Sequence, residues 1–182
     1  MKLMLTEKER ESAIKRLTRT RQTLLDAVAG VTETQARWKP APDRWSILEY
    51  VEHLAISDDE LVAMIQRSLK TAARPETEEQ RKEREQKIRE TPVPRGANRA
   101  PEMLQPAGKF KTLADALAAF LAARERTLEY AQTTQDDIRS HFSAHTVLGA
   151  LDGYQWLNGN AHHVETHAGH IKEIREMQGF PS

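Results

Sequence analysis

The placement of proline constrains this chain more than any other feature of its sequence. Five of the eight prolines fall between Pro75 and Pro106, two stand at positions 40 and 42, and the last is Pro181. Proline lacks an amide proton and clashes with the preceding helical turn, so long helices are confined to the proline-free stretches. Each such stretch carries apolar residues at three- and four-residue spacing. This predicts four amphipathic helices: Glu7–Ala29, Ile47–Ala72, Leu113–Thr134 and Gly153–Gln178.

Residues that cap helices precede all four stretches. Thr6 and Ser46 are each followed three residues later by a glutamate, which is the spacing of a capping box. Thr112 and Asp152 stand before the third and fourth helices. The glycines and asparagines that follow Asp152 leave open whether the first turns of the fourth helix are helical or loop. No alternating apolar–polar run is long enough for a sheet. We therefore expect an all-α protein, a four-helix bundle whose apolar stripes face one another.

Composition narrows the class of protein further. The chain has 182 residues, with 27 lysines and arginines against 27 acidic residues. That length suits a single domain over residues 1–182, and zero net charge argues against nucleic-acid binding, which needs a basic face. The absence of cysteine excludes disulfides, thiolate metal ligands and a cysteine nucleophile. No run approaches the ~20 apolar residues of a membrane span, and residues 1–11 lack a signal-peptide core. We expect a soluble, cytoplasmic protein with no membrane partner.

A long connection, residues 73–111, joins the second and third predicted helices. Its first part, Glu76–Glu90, holds six acidic and five basic residues, a composition that suits a solvated helix. Its second part, Thr91–Gly108, is interrupted by prolines and is predicted to be extended. A crossover of this length can return the chain to the end of the bundle from which it came, so the second and third helices can run parallel.

Two histidines on the fourth predicted helix are the first candidates for chemistry. His163 and His167 are four residues apart and therefore share one helical face. At 100° per residue that face also carries apolar residues such as Ile171 and Ile174, so the histidines point toward the core. Buried imidazoles need partners. Two interpretations remain open from the residues alone: a bound metal ion, or hydrogen bonds to tyrosine or carboxylate side chains.

A metal site needs a third ligand, and two further histidines are candidates. His53 lies on the flank of the second helix's apolar stripe, where a lone histidine is usually a surface residue unless it pairs with the fourth helix. His170 continues the face of His163 and His167 by one turn. It is a candidate fourth ligand, a hydrogen-bonding neighbour of a ligand, or a residue with no part in the site. Tyr50, Glu52 and Glu165 are further candidates for handling protons, although surface or core-edge roles are commoner for such residues.

Two segments carry a resemblance to a known family. Residues 38–55 read WKPAPDRWSILEYVEHLA, and residues 163–171, which follow the segment 145–157, read HVETHAGHI. These segments resemble the signature of the DinB-like superfamily of metal-binding four-helix bundles, in which a Trp-Ser helix start leads to a His-Leu pair and the last helix closes with His-x₃-His-x₂-Gln-Ile. The resemblance implies an up-down-down-up arrangement and a divalent metal held by His53, His163 and His167. His170 stands where the family usually has glutamine.

A site of three neutral imidazoles leaves one coordination position open, as in catalytic metal sites. A bound water there becomes a usable hydroxide near neutral pH, or a thiolate binds instead. Relatives in the family resemble metal-dependent hydrolases or transferases of a low-molecular-weight thiol, so the expected partner is a small-molecule substrate. Zinc, nickel and iron(II) all accept imidazole. A non-enzymatic metal- or small-molecule-binding module is the alternative, and a homodimer is expected because many relatives look dimeric.

Overall fold

The computed structural model describes residues 3–74, 76–91 and 100–182. Within these ranges the chain forms six α-helices, a short 3₁₀ helix over Glu102–Leu104 and a two-stranded hairpin. None of the described helices is long and apolar enough to cross a membrane. The elements are α1 (Glu7–Val28), α2 (Glu33–Arg37), α3 (Ile47–Ser68), α4 (Glu78–Glu90), α5 (Leu113–Thr133), β1 (Phe142–His145), β2 (Gly149–Asp152) and α6 (Gly153–Arg175).

The four long helices α1, α3, α5 and α6 are the four that the sequence predicts. Capping boxes begin three of them, at Thr6, Ser46 and Asp152, and Thr112 caps α5 through its side chain. α6 is helical from Gly153 onward, which answers the question left by its glycines and asparagines. A Cβ on Gly153 would lie 2.6 Å from the Cβ of Ile138, so only glycine lets this helix start pack against the preceding loop.

Two hydrophobic cores lie inside the bundle, one after the other along its length. The upper core takes residues from all four long helices, including Leu24, Leu54, Phe120 and Ile171. The lower core includes Leu17, Ile65, Ala131 and Leu157. On α1, α3 and α5 the residues of the two cores are separated by buried polar side chains, and on α6 the buried Asn160 lies beside the end of the lower core at Ala161. We call these residues the buried polar layer: Thr20, Asp58, Arg124, Thr127 and Asn160.

α1 and α6 run in the same direction. Near their middles, Arg19 pairs with Glu165 at 2.6 Å. Near their ends, Arg175 of α6 donates to the carbonyl of Ala27 in α1 at 2.7 Å. Because the contacts advance together along both chains, the two helices are parallel.

α3 and α5 run against α1. Arg10 near the start of α1 donates to the carbonyl of Ala131 near the end of α5, and further along α1 Arg21 pairs with Glu125 earlier in α5. The first halves of α3 and α5 both enter the upper core and their second halves the lower core, so these two helices are parallel. The order is therefore up-down-down-up, which confirms the topology that the long crossover and the family resemblance predict.

The crossover contains the predicted helix as α4, which is capped at Thr77. Ile88 is the buried residue of this helix and packs near Gly159 of α6. The extended segment predicted for Thr91–Gly108 lies partly outside the described residues, at positions 92–99. Its described part contains the 3₁₀ helix Glu102–Leu104. In the described parts of the crossover, α4 packs against α6 and the 3₁₀ helix packs against α3.

The hairpin is the part of the fold that the sequence analysis missed. β1 and β2 pair antiparallel, with Phe142 opposite Asp152 and His145 opposite Gly149. Gly149 has a φ of +80°, a left-handed conformation that favours glycine at this turn. Each strand has four residues, too few to give a recognisable alternating pattern. The short helix α2 was missed for the same reason.

Candidate metal centre

His53 is presented by the first half of α3 and is buried, 3% exposed, rather than on the surface. The sequence analysis placed this side chain on the flank of the helix, and the structure shows that it is more buried than that position suggests. The ring nitrogen Nδ1 lies 2.7 Å from the carbonyl oxygen of Leu104, in the 3₁₀ helix of the crossover. A carbonyl oxygen only accepts, so Nδ1 carries the proton and Nε2 carries a lone pair. This tautomer leaves Nε2 of His53 free to bind a metal ion.

The segment that follows Leu104 is itself anchored by the residue next to His53. The carboxylate oxygen Oε1 of Glu52 accepts from the backbone amides of Ala107 and Lys109, at 2.8 and 3.0 Å. Glu52 is 1% exposed, and charge-assisted hydrogen bonds in such a setting are strong. Glu52 therefore holds the crossover in place and is not a group that handles protons in the cavity.

His163 and His167 project from one face of α6 toward His53. The Nε2 atom of His163 lies 2.9 Å from Nε2 of His53 and 2.9 Å from Nε2 of His167. The three ligand atoms all lie within 4.8 Å of one another. The structure thus brings together the three residues that the sequence analysis singled out, from two different helices.

The proton count of these contacts favours a cation at their centre. Nε2 of His53 has no proton to give, and Nε2 of His163 has at most one, although it meets two neighbours. One contact between nitrogens is therefore left without a hydrogen bond in the neutral cluster. Nitrogens around a tetrahedral zinc ion stand about 3.3 Å apart, given bonds of ~2.05 Å. Two of the three Nε2 separations, each 2.9 Å, are close to this spacing, and neutral imidazole is a ligand that zinc accepts.

The electrostatics of the cluster keep these rings neutral. Burial lowers the pKa of His53, although the hydrogen bond to Leu104 opposes this. Burial lowers the pKa of His163 and of His167 well below the ordinary value, and the neighbouring histidines lower both further. A neutral imidazole is the form that binds a metal ion, so the site does not have to release protons before binding near pH 7.

His170 takes the position of a hydrogen-bonding neighbour. Its Nδ1 lies 3.3 Å from Nδ1 of His167, on the side of that ring away from the meeting point of the Nε2 atoms. Around the cluster, the ring of Trp45 lies 4.8 Å from that of His53, and the ring of Tyr50 lies 5.1 Å from that of His167. These contacts fix the ring planes. Tyr50 therefore packs against the cluster.

The remaining candidate, Glu165, and a further histidine, His141, lie away from the three Nε2 atoms. Glu165 pairs with Arg19 on the outside of the bundle. His141 has its Nδ1 at 2.9 Å from the carbonyl of Thr71. Neither residue reaches the cluster.

A cavity of about 330 Å³ opens onto the imidazoles. The three imidazoles belong to its lining, and the other walls come from α3, α4, α6, the hairpin and the 3₁₀ helix. Most wall residues are apolar, among them Leu61, Met64, Ile88, Leu148, Leu151 and Trp156. A small molecule in this cavity would be next to the imidazoles that would hold a metal ion. His145 also lines the cavity. Sequence reasoning gave it no role, because only the hairpin places it there.

Comparison with known proteins identifies a family and similar chains. A family model described as the DinB superfamily matches residues 16–171. YuaE of Bacillus subtilis (strain 168), described as uncharacterized, is 27% identical over 148 residues, which cover 81% of this chain and 87% of that protein. A solved structure, described as "YfiT from Bacillus subtilis is a probable metal-dependent hydrolase with an unusual four-helix bundle topology", has a TM-score of 0.63 at 17% identity. The alignment covers 98% of this chain and 92% of that one, so the fold is shared.

Proposed function

We propose, from the premise that this chain belongs to the DinB superfamily, that it is a metal-dependent enzyme acting on a small-molecule substrate. The ligands of one divalent ion are His53, His163 and His167. The observation that carries the proposal is the convergence of three Nε2 atoms within 4.8 Å of one another in the lining of a cavity. The neutral state of all three rings supports it.

The reaction that we propose is hydrolysis. When bound, a divalent ion in a site of three imidazoles polarises a carbonyl or phosphoryl oxygen and acidifies water. The chain supplies the rest: Leu104 and His170 orient the rings of His53 and His167, and the apolar walls hold the substrate against the cluster. The description of YfiT as a probable metal-dependent hydrolase supports this choice.

Transfer of a low-molecular-weight thiol is the second candidate reaction. The chain has no cysteine, so the thiol would have to come from solution and enter the cavity beside the cluster. Zinc, nickel and iron(II) all remain candidate ions, because imidazole accepts each of them. A single domain over residues 1–182, a homodimer and a cytoplasmic location remain part of the proposal.

Metal analysis of purified variants tests the site. Wild type and His141→Ala should each carry about one divalent ion per chain after dialysis against zinc, whereas His53→Ala and His163→Ala should carry far less. His141 is the matched control, since it is a histidine with a backbone partner outside the cluster. Equal metal content in all four proteins would remove the site.

Turnover then separates the reactions. Wild type loaded with zinc, nickel or iron(II) is screened against aryl esters and amides, and against small thiols combined with electrophiles. Hydrolysis that is lost on chelation and in His163→Ala supports the hydrolase. Chelator-sensitive turnover only when a thiol is present supports the transferase. Metal binding without any turnover favours the non-enzymatic module.

A further inference from the structure

His145 is held at the cavity wall by its own backbone. It is the last residue of β1, and its Nδ1 accepts from the backbone amides of Val147 and Leu148, each at 3.1 Å. Its ring lies 5.1 Å from that of Trp156 on α6. These three contacts fix the position and the plane of the imidazole.

The same contacts decide which ring nitrogen carries the proton. Backbone amides only donate, so Nδ1 of His145 holds a lone pair and the proton of the neutral ring is on Nε2. Protonation of Nδ1 would break both hydrogen bonds, and burial also lowers the pKa of His145. Among the residues that the structure describes, Nε2 has no hydrogen-bond partner. His145 therefore adds an oriented N–H donor to the residues that line the cavity, where the indole N–H of Trp156 also has no hydrogen-bond partner among the described residues.

This donor faces the same cavity as the histidine cluster. Trp156 precedes His163 by seven residues on α6, so the two share a helical face and stand about 10 Å apart along the axis. A charge on His145 would lower the pKa of His163, which places the two rings within electrostatic reach. A molecule that contacts His145 can therefore also reach the cluster.

The other lining residues define the kind of molecule that fits. The walls are mainly apolar, and the charged residues Glu60 and Arg67 pair with each other. Because these two charges offset each other, the carboxylate and guanidinium of the described lining add no net charge to the cavity. A volume of about 330 Å³ is at the small end of ligand sites. An uncharged, mainly apolar molecule suits these walls.

We infer that this cavity binds a small, uncharged molecule with an apolar body and a carbonyl-type hydrogen-bond acceptor, to which His145 donates its Nε2–H. The identification of this molecule as the substrate rests on the proposed function, whereas the binding itself does not. When the donor is removed, the acceptor of the bound molecule loses its hydrogen bond. One neutral hydrogen bond in such a site changes the affinity by about five-fold.

The competing explanation is that His145 only stabilises the hairpin turn. Two amide substitutions separate these roles, because each reproduces one nitrogen of the ring. His145→Asn can still accept from the turn amides, as asparagine does in Asx turns, but has no donor at the Nε2 position. His145→Gln extends its amide to the Nε2 position but gives up the contact that Nδ1 makes with the turn.

Binding is measured on metal-free protein with two probes, 4-phenyl-2-butanone and butylbenzene, which share an apolar body and differ by the carbonyl. Calorimetry or ligand-observed NMR gives the dissociation constants. We expect His145→Asn to weaken the ketone about five-fold without changing butylbenzene. His145→Gln should bind both probes as wild type does, although it unfolds at lower temperature.

Three results would overturn the inference. They are unchanged ketone binding in His145→Asn, equal losses in both variants, and the absence of saturable binding of either probe to wild type. Because neither probe can be hydrolysed and no metal is present, these results do not depend on whether the chain is a hydrolase. Failure of the metal analysis above would in turn leave this binding test unaffected.

Discussion

Two sets of polar side chains are buried in this bundle, and they meet the cost of burial in different ways. In the buried polar layer Asp58 and Arg124 are both fully buried and pair at 2.6 Å. In the histidine cluster three uncharged rings direct their Nε2 atoms at one point. The first set contains its own counter-charge. In the second set, the rings do not have enough protons to form a hydrogen bond at every contact between their Nε2 atoms.

The ion pair is surrounded by partners from neighbouring helices. Asp58 also accepts from the hydroxyl of Thr127, and Arg124 also donates to the side chain of Asn160. Burial raises the pKa of Asp58, and the charge of Arg124 opposes that rise. Part of the guanidinium makes no hydrogen bond and instead lies 5.3 Å from the ring of Phe120. Because its two charges are paired with each other, the layer serves the fold.

All three rings of the histidine cluster line the cavity, whereas Asn160 is the one member of the buried polar layer among its described lining residues. Its outer ring nitrogens are held by the carbonyl of Leu104 and by His170, while its inner nitrogens lack enough protons for their contacts. The comparison teaches that burial of polar groups does not by itself mark a functional site. A functional site is marked more specifically by buried polar groups that lack hydrogen-bond partners and line a cavity.

The largest expected effect comes from breaking the ion pair. Arg124→Met leaves the Asp58 carboxylate buried without its partner, and such losses cost about 3–5 kcal/mol of the free energy of unfolding. Urea unfolding measures it. The matched control is Arg126→Met. Arg126 pairs with Asp59, the residue that follows Asp58, and both side chains of this second pair are more than half exposed. That change should cost less than about 1 kcal/mol.

Removal of both charges of the buried ion pair gives a further test of its role. Asp58→Leu combined with Arg124→Met should recover most of the stability that the single change loses, because apolar replacements of a buried pair are often neutral or better. Zinc binding should persist in Arg124→Met, in Arg126→Met and in the double variant. A loss of zinc binding in Arg124→Met, with the fold intact by circular dichroism, would show that the two polar regions are one unit.

Zinc should stabilise the protein through the cluster alone. An ion that binds only the folded chain adds about 2.7 kcal/mol at a free concentration of 100 times its dissociation constant. Wild type and Arg126→Met should show this gain in urea unfolding, and His163→Ala should show none. A gain in His163→Ala equal to that of wild type would place the zinc elsewhere on the chain.

A smaller effect is expected from the anchor of the crossover. Glu52→Ala removes the acceptor for the amides of Ala107 and Lys109, so the segment that carries the Leu104 carbonyl loses its attachment to α3. Loss of an orienting partner of a metal ligand weakens metal affinity about ten-fold. Calorimetric zinc titration measures this. Glu52→Gln keeps an oxygen acceptor and is the matched control, which should bind zinc more tightly than Glu52→Ala.

The sequence predicted what depends on neighbours along the chain. Proline positions, capping boxes and apolar spacing act within one helix, so the four long helices and the shared face of His163 and His167 were identified correctly. The topology followed from the length of the crossover and from the family resemblance. The spacing of residues along the chain was informative for those elements whose structure depends on neighbouring residues.

The parts that the sequence did not predict depend on distant contacts. His53 is buried because the crossover, 51 residues further along, returns to place the Leu104 carbonyl against its ring. His145 reaches the cavity through a hairpin of two four-residue strands, too short to leave a pattern. The spacing of residues within one helix carries no information on either contact. Only the family resemblance pointed to His53 as a partner of α6.

The smallest expected effect concerns His170, which stands where the family resemblance has glutamine. If Nε2 of His167 binds the ion, the proton of that ring is on Nδ1 and donates to Nδ1 of His170. His170→Gln offers an oxygen acceptor to the same proton, so zinc affinity should stay within about three-fold of wild type. His170→Leu offers none, and a loss of about ten-fold is expected. Equal affinities in the two variants would mean that His170 does not orient His167, and that packing against Tyr50 holds the ring instead.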